Sequence, residues 1–431
     1  MNKINPENLS LSINQSWVLN LLIIILLLIS ANKPIVAQSL GKDSTAIIGG
    51  PENTTQGLKN DQHDYCIFEG SAQIRKWDDW KAKLHNNHGL SFGLSAIIMS
   101  QYANSVLNST NSSFGGVYRL MASWMLVGRG TGHTGRLELR AENRSAMPGF
   151  LSGMQLGNEV GMAALNPGFG YTHNFSLDIP VVSWVQGFNN NRAGFAIGRL
   201  GFDAYLDPVA FQTFSRAFVN RSFVFTPATP TTGIGALGAV IKGFITEQIW
   251  LGGQIYDANA TSGTFNTEIF KENEWLSALE VGFTPSFKRR KTDKIQFSYW
   301  FKDAREEAGI SKGNGWLVSA TYGFADRILS FVRFGGNNGG AGIAAKTSGS
   351  GGLEFKPKPF HAISIAGGWA RPSEETSGPG IRDEYAFETS YVAQLLPKIS
   401  LMADFQFTLN PTNNPAENSS VIVGLRTIIN L

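Results

Sequence analysis

The stretch Val421-Ile422-Val423-Gly424-Leu425-Arg426-Thr427-Ile428-Ile429-Asn430-Leu431 closes the chain and alternates along its whole length. Successive side chains of an extended chain point to opposite faces. Val421, Val423, Leu425, Thr427, Ile429 and Leu431 therefore fall on one face, and Ile422, Gly424, Arg426, Ile428 and Asn430 on the other. The chain runs to its last residue inside a strand. A soluble domain usually frays at its terminus, whereas a barrel in lipid must pair its last strand with its first, because an unpaired edge leaves backbone groups without partners. The expectation is an all-β, transmembrane antiparallel barrel.

The same period of two extends back to Leu90 between clusters of Gly, Asn, Pro, Ser and Thr. Leu90, Phe92, Leu94, Ala96 and Ile98 share a face, as do Tyr118, Leu120, Ala122, Trp124 and Leu126. Further on, Ile295, Phe297, Tyr299 and Phe301 oppose Gln296, Ser298, Trp300 and Lys302, and Leu401, Ala403, Phe405, Phe407 and Leu409 oppose Asp404, Gln406 and Thr408. If the apolar faces meet lipid, the polar faces line a lumen. About 16 strands of about 10 to 12 residues, joined alternately by short and long connections, use the length from Leu90 to Leu431. Fourteen or eighteen strands fit nearly as well. A secreted β-sandwich also alternates, with its apolar face in a core, but the aromatic strand ends favour girdles at a lipid interface.

At the other end, Val18, Leu19 and Leu21 to Ile29 form an apolar run too short for a membrane helix, followed by Ile35-Val36-Ala37 before Gln38. This reads as a secretory signal peptide over residues 1–37. Residues 38–70 read as a periplasmic lead, 71–88 as a short helix and 89–431 as the barrel. Net charge is only +3, which gives no nucleic-acid signal. Cys66 is the sole cysteine, so no internal disulfide is possible. The 48 glycines, 11% aromatic residues and mean hydropathy of −0.08 suit strands that are apolar on one face only.

The segment Lys76-Trp77-Asp78-Asp79-Trp80-Lys81-Ala82-Lys83-Leu84, followed by His88-Gly89-Leu90-Ser91-Phe92-Gly93-Leu94, resembles the entrance to carbohydrate-selective porins of the OprB type. Phe218 to Asp257, with Phe225-Thr226-Pro227, Ala236-Leu237-Gly238 and Tyr256-Asp257, adds a second block. The third and most specific is Phe387-Glu388-Thr389-Ser390-Tyr391, Leu401 to Phe407, Asn410-Pro411, Asn414-Pro415 and Val423-Gly424-Leu425-Arg426-Thr427. The resemblance covers residues 70 to 431 and is weak over 145 to 215. It implies a 16-stranded barrel in the bacterial outer membrane through which sugars diffuse, without catalysis or cofactor. Two departures stand out: Leu431 where such barrels usually end in an aromatic, and Trp80-Lys81 where the family commonly has small residues and an arginine.

Arg136, Glu138, Arg140, Glu142 and Arg144 occupy alternate positions of one strand. An arginine at the bilayer midplane costs about 2 to 4 kcal/mol, so this row should face the lumen. Its mixed signs offer donors and acceptors to a neutral polyol; an ion-selective pore would show one sign. A self-neutralising wall, paired across strands, reads equally well. Arg119, Glu388, Asp404 and Arg426 are further lumenal candidates. Trp250 and Trp300 have inward parity and could stack on sugar rings or sit as interface tryptophans. Residues 203–232, rich in phenylalanine, read as a loop folded inward, since such a loop is poorly suited to free solvent. Gly335 to Gly352 and Ser373 to Arg382 read as outward loops.

Of the histidines in the barrel region, His133, His173 and His361, none adjoins a nucleophile motif, so an enzyme is not expected. His63, His85 and His88 lack the companion ligands of a metal site. The alternatives are a general or hydrophobic-solute channel and a structural barrel. A hydrophobic-solute channel would need an apolar lumenal track and an N-terminal hatch. Expected partners are permeating carbohydrates and membrane lipid, with a homotrimer as the porin habit.

Overall fold

A computed structural model of the chain describes residues 48–60, 65–170, 174–230, 232–263, 272–325 and 327–431. The signal-peptide reading and His63 and His173 fall outside them. The first strands are β1 (Leu90–Ala103), β2 (Ser112–Val127), β3 (Thr134–Ala146), β4 (Phe175–Phe188), β5 (Ala193–Leu200) and β6 (Ala236–Phe244). Next come β7 (Ile249–Asp257), β8 (Trp275–Phe283), β9 (Lys294–Lys302), β10 (Gly313–Phe324) and β11 (Ile328–Asn337). The last are β12 (Ala345–Lys358), β13 (His361–Pro372), β14 (Glu384–Leu396), β15 (Ile399–Leu409) and β16 (Ser419–Asn430). Each pairs antiparallel with its neighbour in sequence, and β1 pairs with β16 from Ser95↔Asn430 to Ala103↔Ile422, closing the barrel. The sixteen-strand expectation stands.

Alternation sorts the side chains as a membrane requires. On β8, Leu279 is 70% exposed and Val281 and Phe283 point outward with it, while Leu276, Ala278 and Glu280 are buried. Short turns close one end of the barrel and longer connections the other. Beside the short-turn end, helix α2 (Ala72–His88) follows a shorter helix, α1 (Thr54–Asn60). Ser71 caps α2 by accepting from the Ile74 amide, and Gly89 ends it at φ 72°, a left-handed conformation that glycine adopts without strain. Trp77 and Trp80 pack edge-on to outward-facing Phe92, and Lys398 pairs with Asp78 at 2.8 Å.

The interior is not the uniformly polar lumen expected. Residues 201–230, after β5, turn inward and bring Phe211, Phe214, Phe218 and Phe223 into a buried cluster. Helix α3 (Gly153–Val160), from the β3–β4 connection, joins it through Leu156 and Val160. Opposite stand inward residues of the wall, Ile97 and Met99 on β1, Phe331 on β11 and Ile422 on β16. Burying the phenylalanines requires an apolar wall, and the inward face is apolar where the loop leans on it. Only residues 338–344 of the expected 335–352 loop leave the sheet; the glycines of β12 lie within the ladder. Gly352 makes room for inward residues, since an added Cβ would lie 2.8 Å from Phe331 and Ala366.

Candidate functional site

One sector of the inner wall keeps its charge. Register places Arg119 of β2 opposite Glu142 of β3, with Met121 opposite Arg140 and Ser123 opposite Glu138. The β3 row, Arg136 to Arg144, points inward and every member is buried. Glu142 is its hub, with Arg119 and Arg140 each 3.0 Å from its Oε1 and Arg144 2.7 Å from its Oε2. Arg136 pairs with Glu138 at 2.7 Å. On the adjoining wall, Arg199 pairs with Asp178 at 3.0 Å. Burial on this scale is sustained because each charge has an oppositely charged partner.

Residues 48–60, read above with the periplasmic lead, lie against this row inside the barrel. Ile48 is buried beside Val185 and Ala196. Glu52 sits 3.2 Å from the Arg119 guanidinium and 3.7 Å from that of Arg140, and its backbone carbonyl accepts from Arg140 at 2.8 Å. Asn53 donates to Glu138 at 3.2 Å, and Thr55 donates to the same carboxylate at 2.6 Å. Thr213 of the inward loop donates to Glu52 at 2.6 Å. Burial works against the Glu52 charge, yet Arg119, Arg140 and Thr213 outweigh it and hold the carboxyl below its ordinary range. On the loop, burial pushes Asp203 up despite Arg221, and burial beside Glu138 does the same to the Tyr205 phenol. A cavity of about 20 Å³ remains between Pro51, Glu52, Arg119, Arg140, Thr213 and Asn430, room for about one water.

The other sequence candidates lie apart from the row. Glu388 accepts from the Val219 and Asn220 amides at 2.6 and 3.0 Å. Arg426 donates to the carbonyls of Phe214, Arg216 and Phe218. Asp404 accepts from Gln406, whose neighbour across the gap is the Asn220 side chain. Glu388 and Arg426 grip the inward loop directly, and Asp404 acts on it only through Gln406. Trp250 points inward and donates to Glu280 at 2.9 Å, beside the Lys242–Glu280 pair at 2.5 Å. Trp300 is fully buried in a second apolar cluster with Leu276 and Leu317. The structure thus unites Arg119, Arg136, Glu138, Arg140 and Glu142 and places Glu388, Asp404, Arg426, Trp250 and Trp300 elsewhere. Sequence reasoning missed Glu52, Asn53, Thr55 and Thr213, which carry no periodic signal. Among the described residues no cluster of His, Cys, Asp or Glu could hold a metal ion.

The barrel is similar to solved porins. A high-pH structure of Pseudomonas putida OprB superposes with a TM-score of 0.64 at 13% identity, covering 83% of this chain and 97% of that one. A low-pH structure of the same protein gives 0.50 at 11% identity, covering 86% and 99%. A Rhodopseudomonas blastica porin double mutant gives 0.50 at 10% identity, covering 79% and 100%. At these identities the likeness is one of fold. No curated protein sequence matches the chain. The blocks at 76–94 and 218–257 lie outside the family match described next. Residues 295–431 match the family described as carbohydrate-selective porin, OprB family, so from β9 to its end the chain carries that family's sequence pattern.

Proposed function

We propose that this protein is a bacterial outer-membrane porin that lets neutral carbohydrates diffuse past the charged wall of β2 and β3, with no chemical step. The carrying observation is the row Arg119, Arg136, Glu138, Arg140 and Glu142, where guanidinium donors and carboxylate acceptors alternate on one inward surface. A polyol hydroxyl both donates and accepts, so such a row can take up its hydroxyls in turn. The match of residues 295–431 to a carbohydrate-selective family supports the same solute class. Passage requires contacts weak enough to release, and hydrogen bonds exchanged with water meet that requirement.

A second reading, passage of hydrophobic solutes, is favoured by the N-terminal segment inside the barrel and by the apolar cluster around Phe211 and Phe218. That cluster is filled by the protein's own side chains, however, and the segment rests on charged groups. Liposome swelling separates the readings. Purified protein should admit glucose and a disaccharide faster than an uncharged amino acid of similar size, and Arg140→Ala should narrow the difference. Equal entry for all three would indicate a general pore, and uptake of apolar solutes alone would favour the second reading.

A further inference from the structure

Two pieces of chain occupy the barrel interior, and they are held differently. The inward loop is anchored by apolar burial, with Phe211, Phe218 and Phe223 each at 0% exposure, and by the Glu388 and Arg426 grips. Residues 51–60 are anchored almost wholly by polar contacts. Glu52 meets Arg119 and Arg140, Asn53 and Thr55 meet Glu138, Thr55 Oγ1 lies 3.1 Å from Ser123 Oγ, and Gln56 accepts from Lys291 at 3.0 Å. Leu58, the one large apolar side chain of α1, is only half-buried. Apolar anchoring is lost only by exposing surface to water, whereas each polar contact can be exchanged for one with water or a hydroxylated solute.

We infer that residues 51–60 are a built-in occupant of the polyol site, docked on Arg119, Glu138 and Arg140, and that a permeating sugar enters by taking over these same groups and displacing the segment. The inference rests on the reading of β2 and β3 as the sugar-contacting wall. The segment presents the chemistry that wall would meet in a sugar: the Thr55 hydroxyl and the Asn53 amide donate to Glu138, and the Glu52 oxygens accept from Arg119 and Arg140. Lys291, which holds Gln56, lies in the turn joining β8 to β9, at the short-turn end. The segment therefore reaches the row from that end. Because it belongs to the same chain, it competes at an effective concentration on the order of millimolar. The apparent affinity for sugar is then reduced by the fraction of molecules in which the segment is undocked.

The test measures ion current through the full-length protein in a planar bilayer, a readout independent of sugar selectivity. Thr55→Cys with Ser123→Cys, in a Cys66→Ser background, places two thiols where the hydroxyls now lie 3.1 Å apart. Oxidation should trap the segment and lower the current, addition of glucose should not restore it, and reduction should. Recovery on reduction shows that the trapped barrel was folded. Deletion of residues 48–60 should raise the current severalfold and abolish the effect of oxidant in the Ser123→Cys background. Current unchanged by both trapping and deletion overturns the inference. Raised current after deletion, with glucose and an uncharged amino acid entering equally, would support the occluding segment while rejecting the sugar-selective wall.

Discussion

Glu52, on the N-terminal segment, lies 3.2 Å from the Arg119 guanidinium on β2, so a carboxylate remote in sequence completes the charged wall. Its lowered pKa gives docking a pH dependence of known sign. A carboxyl held below its ordinary value contributes stability above that value and loses it as pH falls through the lowered one. The groups facing it are Arg119 on β2, Arg140 and Glu142 on β3, and Asp203 and Thr213 on the loop. Arginines stay charged throughout this range. Bilayer current should be low at neutral pH and rise in acid below about pH 4, the ordinary carboxylate range. Glu52→Gln should raise the neutral-pH current and remove the acid step; parallel profiles for the two proteins would contradict the account.

Glu142 binds three arginines, and removing it takes a shared carboxylate from three buried cations, of which Arg119 and Arg140 keep only Glu52. Glu142→Ala should lower stability by about 3 to 5 kcal/mol, as for other broken buried pairs. The measurement is the temperature at which the folded, faster-migrating band is lost on a gel. Arg136→Ala leaves that hub intact and should shift the temperature far less.

Arg426 holds three loop carbonyls and is fully buried. Hydrogen bonds to a charged group contribute about 1.5 to 3 kcal/mol each. Arg426→Ala should therefore free residues 214–218, seen as new proteolytic cleavage within the loop while the barrel stays resistant. Unchanged digestion would show that the phenylalanines alone hold the loop.

Trp250 and Trp300 are packed rather than presented to a lumen. Trp250→Phe loses the hydrogen bond to Glu280 and should cost about 1 to 3 kcal/mol, with relative sugar and amino-acid entry unchanged. A selective loss of sugar entry would restore the stacking role.

Leu279 faces outward near the middle of β8. Leu279→Arg should cost about 2 to 4 kcal/mol when the protein folds into lipid vesicles. A cost near zero would mean that this face does not meet hydrocarbon.

What the sequence disclosed and what it hid follow from the range of the interactions involved. Period two is a local signal, so the strands, the closing role of Val421–Leu431 and the inward row on β3 were legible. The phenylalanines of residues 203–232 betrayed an inward loop because such surface needs a wall. Why that wall is apolar was not legible: alternation turns Ile97 and Ile422 inward, and they are buried there in one cluster with Phe214 and Phe218, a packing between distant parts of the chain. For the same reason Glu388 and Arg426 read as pore charges when their partners are loop backbone. Glu52 had no pattern at all, since its place is set by Arg119 and Arg140.

The account turns on whether the β2–β3 wall recognises polyols, and current through the reconstituted channel at rising glucose concentration tests this most directly. Glucose should change the current saturably, an uncharged amino acid of similar size should not, and Arg140→Ala should weaken the glucose response. The same response to both solutes, or none to either, would contradict the proposed selectivity.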